Sequence, residues 1–252
     1  MGLFIPFFSA GHPKLDSTVA ILELLNRSGA DYIEVGLPHS DALADGEVIQ
    51  SSSFQALQNG MQIELLLRQI REFNVSSQIQ AKLILFSYFN PILTYGLDKT
   101  CQHWKEAGGY ALLIPDLPLE ESEQIRLLCD KYDLKLIFLI APTSTSERIQ
   151  KICDLTDEFI YLVSVAGVTG EHAQFANNLK ACLTEIKACG NKVVIGFGVS
   201  SPKQAKELMR MGADGVVVGS AFVKLFTESK FKEAEILAAQ IKMAIDSASF
   251  TG

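Results

Sequence analysis

Residues 31–46, DYIEVGLPHSDALADG, set one carboxylate inside an apolar run and three aspartates around it. The run Ile33 to Leu37 reads as a buried strand with Glu34 in its middle; Asp31 precedes it, and Asp41 and Asp45 follow. A lone buried carboxylate is costly unless it is paired or stays protonated. Kept semi-buried, such a group can move protons as a general acid or base. The plainer alternative is a structural carboxylate bonded to backbone amides or to an interior hydroxyl. Asp41 and Asp45 have their own plain reading, since loop aspartates are commonly solvated or cap helices, and Asp45 before Gly46 also suits a turn.

Further polar groups follow later apolar runs. Tyr88 and Asn90 lie in SYFNP, and Asp116 in PDLP, where it can simply terminate a strand. Three glycine-bearing stretches come late: Ala166–Gly170, Gly196–Gly198 and Gly219–Ser220. Singly these are turn residues. Together, at successive strand ends, they suggest backbone amides cradling a phosphate, with SAFVKLF as a short helix and Ser220 as its N-cap. His12 and His39 read as loop histidines, and the histidines show no metal-ligand spacing, so no metal site is expected.

The elements that must position these groups repeat along the chain. Eight β-like runs, Leu3–Phe8, Tyr32–Gly36, Lys82–Ser87, Tyr110–Ile114, Lys135–Ile140, Phe159–Val163, Val193–Phe197 and Gly215–Gly219, alternate with amphipathic stretches. Helices such as LDSTVAILELLNRSG and SPKQAKELMRMG end on a glycine suited to a C-cap. Gly-Ala-Asp stands before a strand twice, at Gly29–Asp31 and Gly212–Asp214, with a looser relative at Ala107–Tyr110. Eight βα units without a linker or composition break predict one (β/α)₈ TIM barrel, a single domain over residues 1–252. A doubly wound sheet is the alternative. In a barrel the C-terminal strand ends form the active face, so Glu34, Tyr88, Asp116 and the late glycines gather there. Tyr32 shares a strand face with Glu34 and is expected to point into the same mouth. The long interval from Gly36 to Lys82 holds a loop and two helical stretches, where barrels place function.

The 252 residues match one barrel of about 250. A net charge of −7 argues against a general nucleic-acid binder. Five cysteines, odd in number and without a CxxC pair, read as reduced structural thiols. MGLFIPFF lacks a basic n-region, and no apolar run is long enough to span a membrane, so a cytoplasmic protein is expected.

The run IEVGLPHSDALADG closely resembles the signature of the tryptophan synthase alpha chain family, roughly E-[LI]-G-x-P-F-S-D-P-x-A-D-G-P. IPFFSAGHP, SYFNPIL, IPDLPLEE, YLVSVAGVTG, GFGVSSP and DGVVVGSAFVK continue the resemblance in order from residue 5 to about 225. The resemblance implies retro-aldol cleavage of indole-3-glycerol phosphate to indole and glyceraldehyde 3-phosphate, with no cofactor in this chain. It implies Glu34 and Asp45 as catalytic residues. Phe7, Phe86, Tyr88, Tyr161 and Phe197 would surround the indole, and Gly170, Gly198, Gly219 and Ser220 would bind the phosphate. Thr169 would order Asp45 on loop closure. It further implies a partner, the pyridoxal-phosphate-containing beta chain of an α₂β₂ complex, met through Pro38, Asp41 and Ala42.

Departures from the pattern lie mainly in that loop: His39, Ala42 and Glu47 stand where phenylalanine and two prolines are customary. Losing the prolines removes φ constraints. The family also has a longer segment before the first strand, with a helix that covers the barrel's bottom, so here that face is expected either to lack its cover or to be sealed otherwise. Two other functions fit parts of the pattern: a non-cleaving chain that only activates the beta chain, and a sugar-phosphate isomerase or epimerase with Glu34 as base.

Overall fold

A computed structural model describes residues 2–76, 80–164, 172–196 and 198–249. Strands and helices alternate in the order β1 (Leu3–Ser9), α1 (Ser17–Arg27), β2 (Tyr32–Gly36), α2 (Glu47–Gln58), α3 (Ile63–Ser76), β3 (Lys82–Phe86), α4 (Phe89–Tyr95), α5 (Leu97–Glu106), β4 (Ala111–Leu113), α6 (Glu123–Lys131), β5 (Lys135–Ile137) and β6 (Leu139–Ile140). There follow α7 (Ser146–Leu155), β7 (Ile160–Val163), α8 (His172–Ala188), β8 (Val193–Gly196), α9 (Pro202–Arg210), β9 (Gly215–Val218), α10 (Ser220–Thr227) and α11 (Phe231–Ser249).

All pairings are parallel, in the order β5-β4-β3-β2-β1-β9-β8-β7-β6. The predicted fifth strand is split at Phe138. Its first half pairs with β4 and its second with β7, while Tyr161 N–H donates to Phe138 C=O at 3.0 Å. One continuous segment thus joins the two sheet edges and closes the barrel, which rules out the doubly wound alternative.

Alternation along each strand sorts side chains into two cores. Ile33 and Val35 face outward with Phe4, Phe8 and Leu85 into the layer beneath the helices. Ile5, Phe7, Ile84, Phe86, Leu113, Tyr161 and Val217 fill the barrel interior. Tyr32 and Glu34 do share the inward face, but at opposite ends of the barrel. The Tyr32 hydroxyl donates to Glu158 at the bottom, together with that of Tyr110. Lys82 lies 4.1 Å above the Tyr110 ring and 3.5 Å from Glu158, and Phe159 packs edge-on against Tyr32 at 5.2 Å. This cluster fills the bottom mouth.

The repeated Gly-Ala-Asp motif builds the same clamp twice. Glycine takes a positive φ, +83° at Gly29 and +107° at Gly212, to leave the preceding helix. The aspartate then spans two neighbouring strands. Asp31 Oδ2 accepts from Phe4 N–H at 2.8 Å and from Lys242 of α11 at 2.9 Å, while Asp31 C=O accepts from Lys82 N–H. Asp214 Oδ2 accepts from Val193 N–H at 2.7 Å, Lys187 of α8 pairs with the same carboxylate at 2.8 Å, and Asp214 C=O accepts from Leu3 N–H. At the looser relative, Tyr110 keeps the backbone part, donating to Leu83 C=O and accepting from Lys135 N–H, while its side chain turns inward to Glu158.

Candidate active site

β2 carries Glu34 to the upper mouth of the barrel, where the side chain is 1% exposed. Two glycines make space for the rings beside it. A Cβ on Gly36 would come within 2.7 Å of Phe7 Cζ, and one on Gly196 would run into the Tyr161 hydroxyl. Phe7 and Phe86 meet edge to face at 5.3 Å.

The loop after β2 folds back over this mouth and returns Asp45, 8% exposed, toward Glu34. α2 holds the loop from below. The Gln50 amide donates to Asp45 C=O at 2.8 Å and to Ala42 C=O at 3.2 Å, and Ser53 Oγ accepts from His39 N–H at 2.8 Å. Tyr88 holds it from the side, its hydroxyl accepting from Ala44 N–H at 2.9 Å and donating to Asp45 Oδ2 at 3.1 Å.

Electrostatics separate the two carboxyls. Burial, reinforced by the nearby Asp45 charge, pushes Glu34 up to about 8. Glu34 Oε1 has no hydrogen-bond partner among the described residues. Burial raises Asp45 less, to about 6, because the Tyr88 hydroxyl favours the anion. Near neutral pH the pair is therefore one protonated acid and one anion, the division of labour that acid–base sites require. Tyr161 is buried beside both, and its hydroxyl is held in the neutral form by burial and by the two carboxylates.

The cavity above these groups has a volume of about 830 Å³. Among the residues singled out from sequence, Phe7, Glu34, Asp45, Phe86, Tyr161, Gly198, Gly219 and Ser220 all line it. Tyr88 stands behind Asp45 instead of on the wall, so it reaches the cavity only through that carboxylate. Gly198 takes φ +79°. Ser220 is the first residue of α10, and Gly219 occupies the N-cap position expected for Ser220. Gly219 and Ser220 thus bring the N-terminus of α10 to the cavity wall, and the first amides of a helix lack intrahelical acceptors, which suits an anion. Thr169, Gly170 and Phe197 lie outside the described residues.

In the loop itself Asp41 is exposed, whereas Pro38 and Ala42 are buried within this chain and Leu43 is 86% exposed. The His39 ring packs on Tyr88, the tyrosine that holds Asp45, at 5.3 Å. Asp116 accepts from Phe89 N–H at 2.8 Å and so caps the start of α4.

Sequence reasoning missed several wall residues. Val48 and Ile49 come from the first turn of α2, Leu139, Val163 and Val217 from the strands, Ser144 from the turn before α7 and Arg148 from the first turn of that helix. The strand residues could have been found from the two-residue period; Arg148 carries no signal, being one more charge in an amphipathic helix.

The family model for the tryptophan synthase alpha chain matches residues 1–249. The chain belongs to the tryptophan synthase alpha chain family. The tryptophan synthase alpha chain of Prochlorococcus marinus is 42% identical over 230 residues, covering 91% of this chain and 82% of that one. Among solved structures, the tryptophan synthase alpha subunit of Legionella pneumophila superposes with a TM-score of 0.87 at 31% identity, over 98% of this chain and 93% of that chain. A chain of the tryptophan synthase complex from Pyrococcus furiosus gives 0.85 at 33% identity, over 96% and 98%. The fold expected of this lyase family, a TIM barrel, is the one found here, and no helix of the described residues is long and apolar enough to cross a membrane.

Proposed function

We propose that Glu34 and Asp45 carry out the reaction of this family, cleavage of indole-3-glycerol phosphate to indole and glyceraldehyde 3-phosphate, whose indole passes to a pyridoxal-phosphate-dependent beta chain. Breaking the carbon–carbon bond requires a proton on the indole C3 and removal of one from the neighbouring glycerol hydroxyl. Glu34, protonated near neutral pH, delivers the first proton to C3. Positive charge then develops at the ring nitrogen, and the Asp45 anion beside the N–H stabilises it. Bond cleavage leaves an aldehyde as the ionised Glu34 takes the hydroxyl proton, which restores the acid for the next turnover.

Phe7, Phe86 and Tyr161 form the apolar walls for the ring, with Phe197 assigned there by family pattern. Gly198, Gly219 and Ser220 give the phosphate its amides, with Gly170 from the preceding loop. Tyr88 is a positioning residue: it fixes Asp45 and keeps it ionised. Thr169 orders Asp45 on loop closure, which excludes water. Asp41 and the exposed Leu43 form the partner-facing part of the loop, with Pro38 and Ala42 shaping it from inside. The chain works as one cytoplasmic barrel domain that needs no cofactor of its own.

The observation that carries this reading is the buried Glu34 carboxyl with one oxygen unpartnered among the described residues, facing the same cavity as a second carboxyl of lower pKa. The test is indole release from indole-3-glycerol phosphate, with and without a beta chain. Slow release alone, strong activation in the complex and loss of both in Glu34→Gln or Asp45→Asn are expected. Wild-type cleavage by Glu34→Gln would refute the mechanism, and activation of the beta chain without any cleavage would refute the assigned reaction.

A further inference from the structure

Beside the reaction cavity lies a second one, of about 300 Å³. That is the low end of the roughly 300–1,000 Å³ that ligand pockets occupy, a size for a fragment-like molecule. It opens between the segment after β4, the outer side of β5 and the start of α7. Leu117, Leu119, Leu136 and Ile152 give it apolar walls, Asp116 and Arg148 are its charged groups, and polar and apolar surface are nearly balanced in it. Pro115, Leu139 and Arg148 line both cavities, so the partition between them is one row of side chains.

Arg148 is the movable member of that row. Thr145 caps α7 by accepting from Arg148 N–H at 3.3 Å, which fixes the backbone, while the guanidinium reaches across to Glu120 at 2.8 Å. Glu120 stands mostly in solvent and Arg148 is partly exposed, 66% and 40%, a setting in which an ion pair holds weakly. The arm can therefore leave Glu120 and open the partition.

We propose that this side chamber is a second binding site for indole, received directly from the reaction cavity across the Arg148 partition. The inference rests on the cleavage reaction proposed above. A neutral planar bicycle suits the apolar walls. Its π-face is a partner for the Arg148 guanidinium, and its one N–H is a donor for the Asp116 carboxylate, whose Oδ1 takes Phe89 N–H while Oδ2 accepts no hydrogen bond among the described residues. The phosphorylated co-product is disfavoured, because its charge would lie against leucines and Asp116 with Arg148 as the one lining cation among the described residues. The start of α10 instead gives it backbone amides in the reaction cavity. The chamber thus separates the two products by charge and clears the ring from Glu34 while the phosphate is still held at α10.

The test uses 5-fluoroindole and ¹⁹F NMR on the purified full chain. Two bound resonances are expected in the wild type. Leu117→Trp and Ile152→Phe fill the chamber from opposite sides and should each remove the same one, while the other resonance and cleavage of indole-3-glycerol phosphate persist. A single bound resonance in the wild type, or two that survive both variants, overturns the proposal. Because binding is read on 5-fluoroindole alone, failure of the cleavage assay would count against the assigned reaction and leave the chamber result standing.

Discussion

Replacing Glu34 by glutamine should make the protein more stable as it makes the enzyme inactive, and the gain should depend on pH. In the unfolded chain the carboxyl titrates at its ordinary 4.5; in the folded chain burial moves it to about 8. Folding at neutral pH therefore takes up a proton. Across the interval from 4.5 to 7, at about 1.4 kcal/mol per pH unit, that uptake costs at most about 3.4 kcal/mol at pH 7. The sign follows from the raised value: the Glu34 contribution is fully present below 4.5, declines as pH rises, and is lost once pH has passed about 8. Glutamine is nearly the same shape and carries no proton to take up. The variant should match the wild type in acid and exceed it increasingly toward pH 8. For a chain of this length, about 3.4 kcal/mol corresponds to roughly 7–14 °C in Tm. Thermal unfolding of both proteins, followed by circular dichroism across this pH range, measures the difference directly; Asp45 titrates in both and largely cancels. An equal Tm offset at every pH, or none, would refute the buried-acid reasoning even if the variant were inactive.

Other outcomes follow from the same site. The pH profile of kcat/KM should be bell-shaped, with an acid limb near 6 from Asp45 and an alkaline limb near 8 from Glu34, read by indole release across pH. Tyr88→Phe removes the hydrogen bond that favours the Asp45 anion and should move the acid limb upward while leaving the alkaline limb in place. Gly196→Ala sets a methyl group against the Tyr161 hydroxyl and should cost about 1–3 kcal/mol in urea unfolding, with loss of cleavage, as an overpacked core does. Asp214→Ala frees Val193 N–H and the Lys187 ammonium at the far end of the barrel. It should lower stability by about 1–3 kcal/mol with kcat preserved, measured by urea unfolding beside the cleavage assay.

What the sequence revealed followed the strength of each local signal. β2 has the predicted bounds, Tyr32–Gly36, because a glycine and a proline mark its end and Glu34 leaves its periodicity intact. The Asp31 and Asp214 likeness was visible as a repeated tripeptide, and the structure shows what it is for. The break at Phe138 was not visible: Lys135–Ile140 is uniformly apolar after its first residue, and only the need to meet β4 on one side and β7 on the other splits it. Tyr32 lies at the mouth opposite to the expected one because a two-residue period fixes a face but not an end. Residue type points to Ser220 as a cap, whereas the backbone places Gly219 there. Tyr88 was assigned to the ring pocket; its part in holding Asp45 depends on a loop path that no motif encodes. Arg148 stands apart from the other helix charges only in the folded chain, where it lines two cavities.

The Asp31 clamp also dictates an order of events during synthesis. Its carboxylate receives Phe4 N–H from β1 but also the Lys242 ammonium, 211 residues later. Translation at about 5–20 residues per second puts roughly 10–40 s between the two partners. β1 likewise waits for β9, whose register runs from Leu3 against Gly215. The first strand made is therefore among the last to be secured, and the nascent chain must carry an apolar, half-paired edge until its final helix emerges.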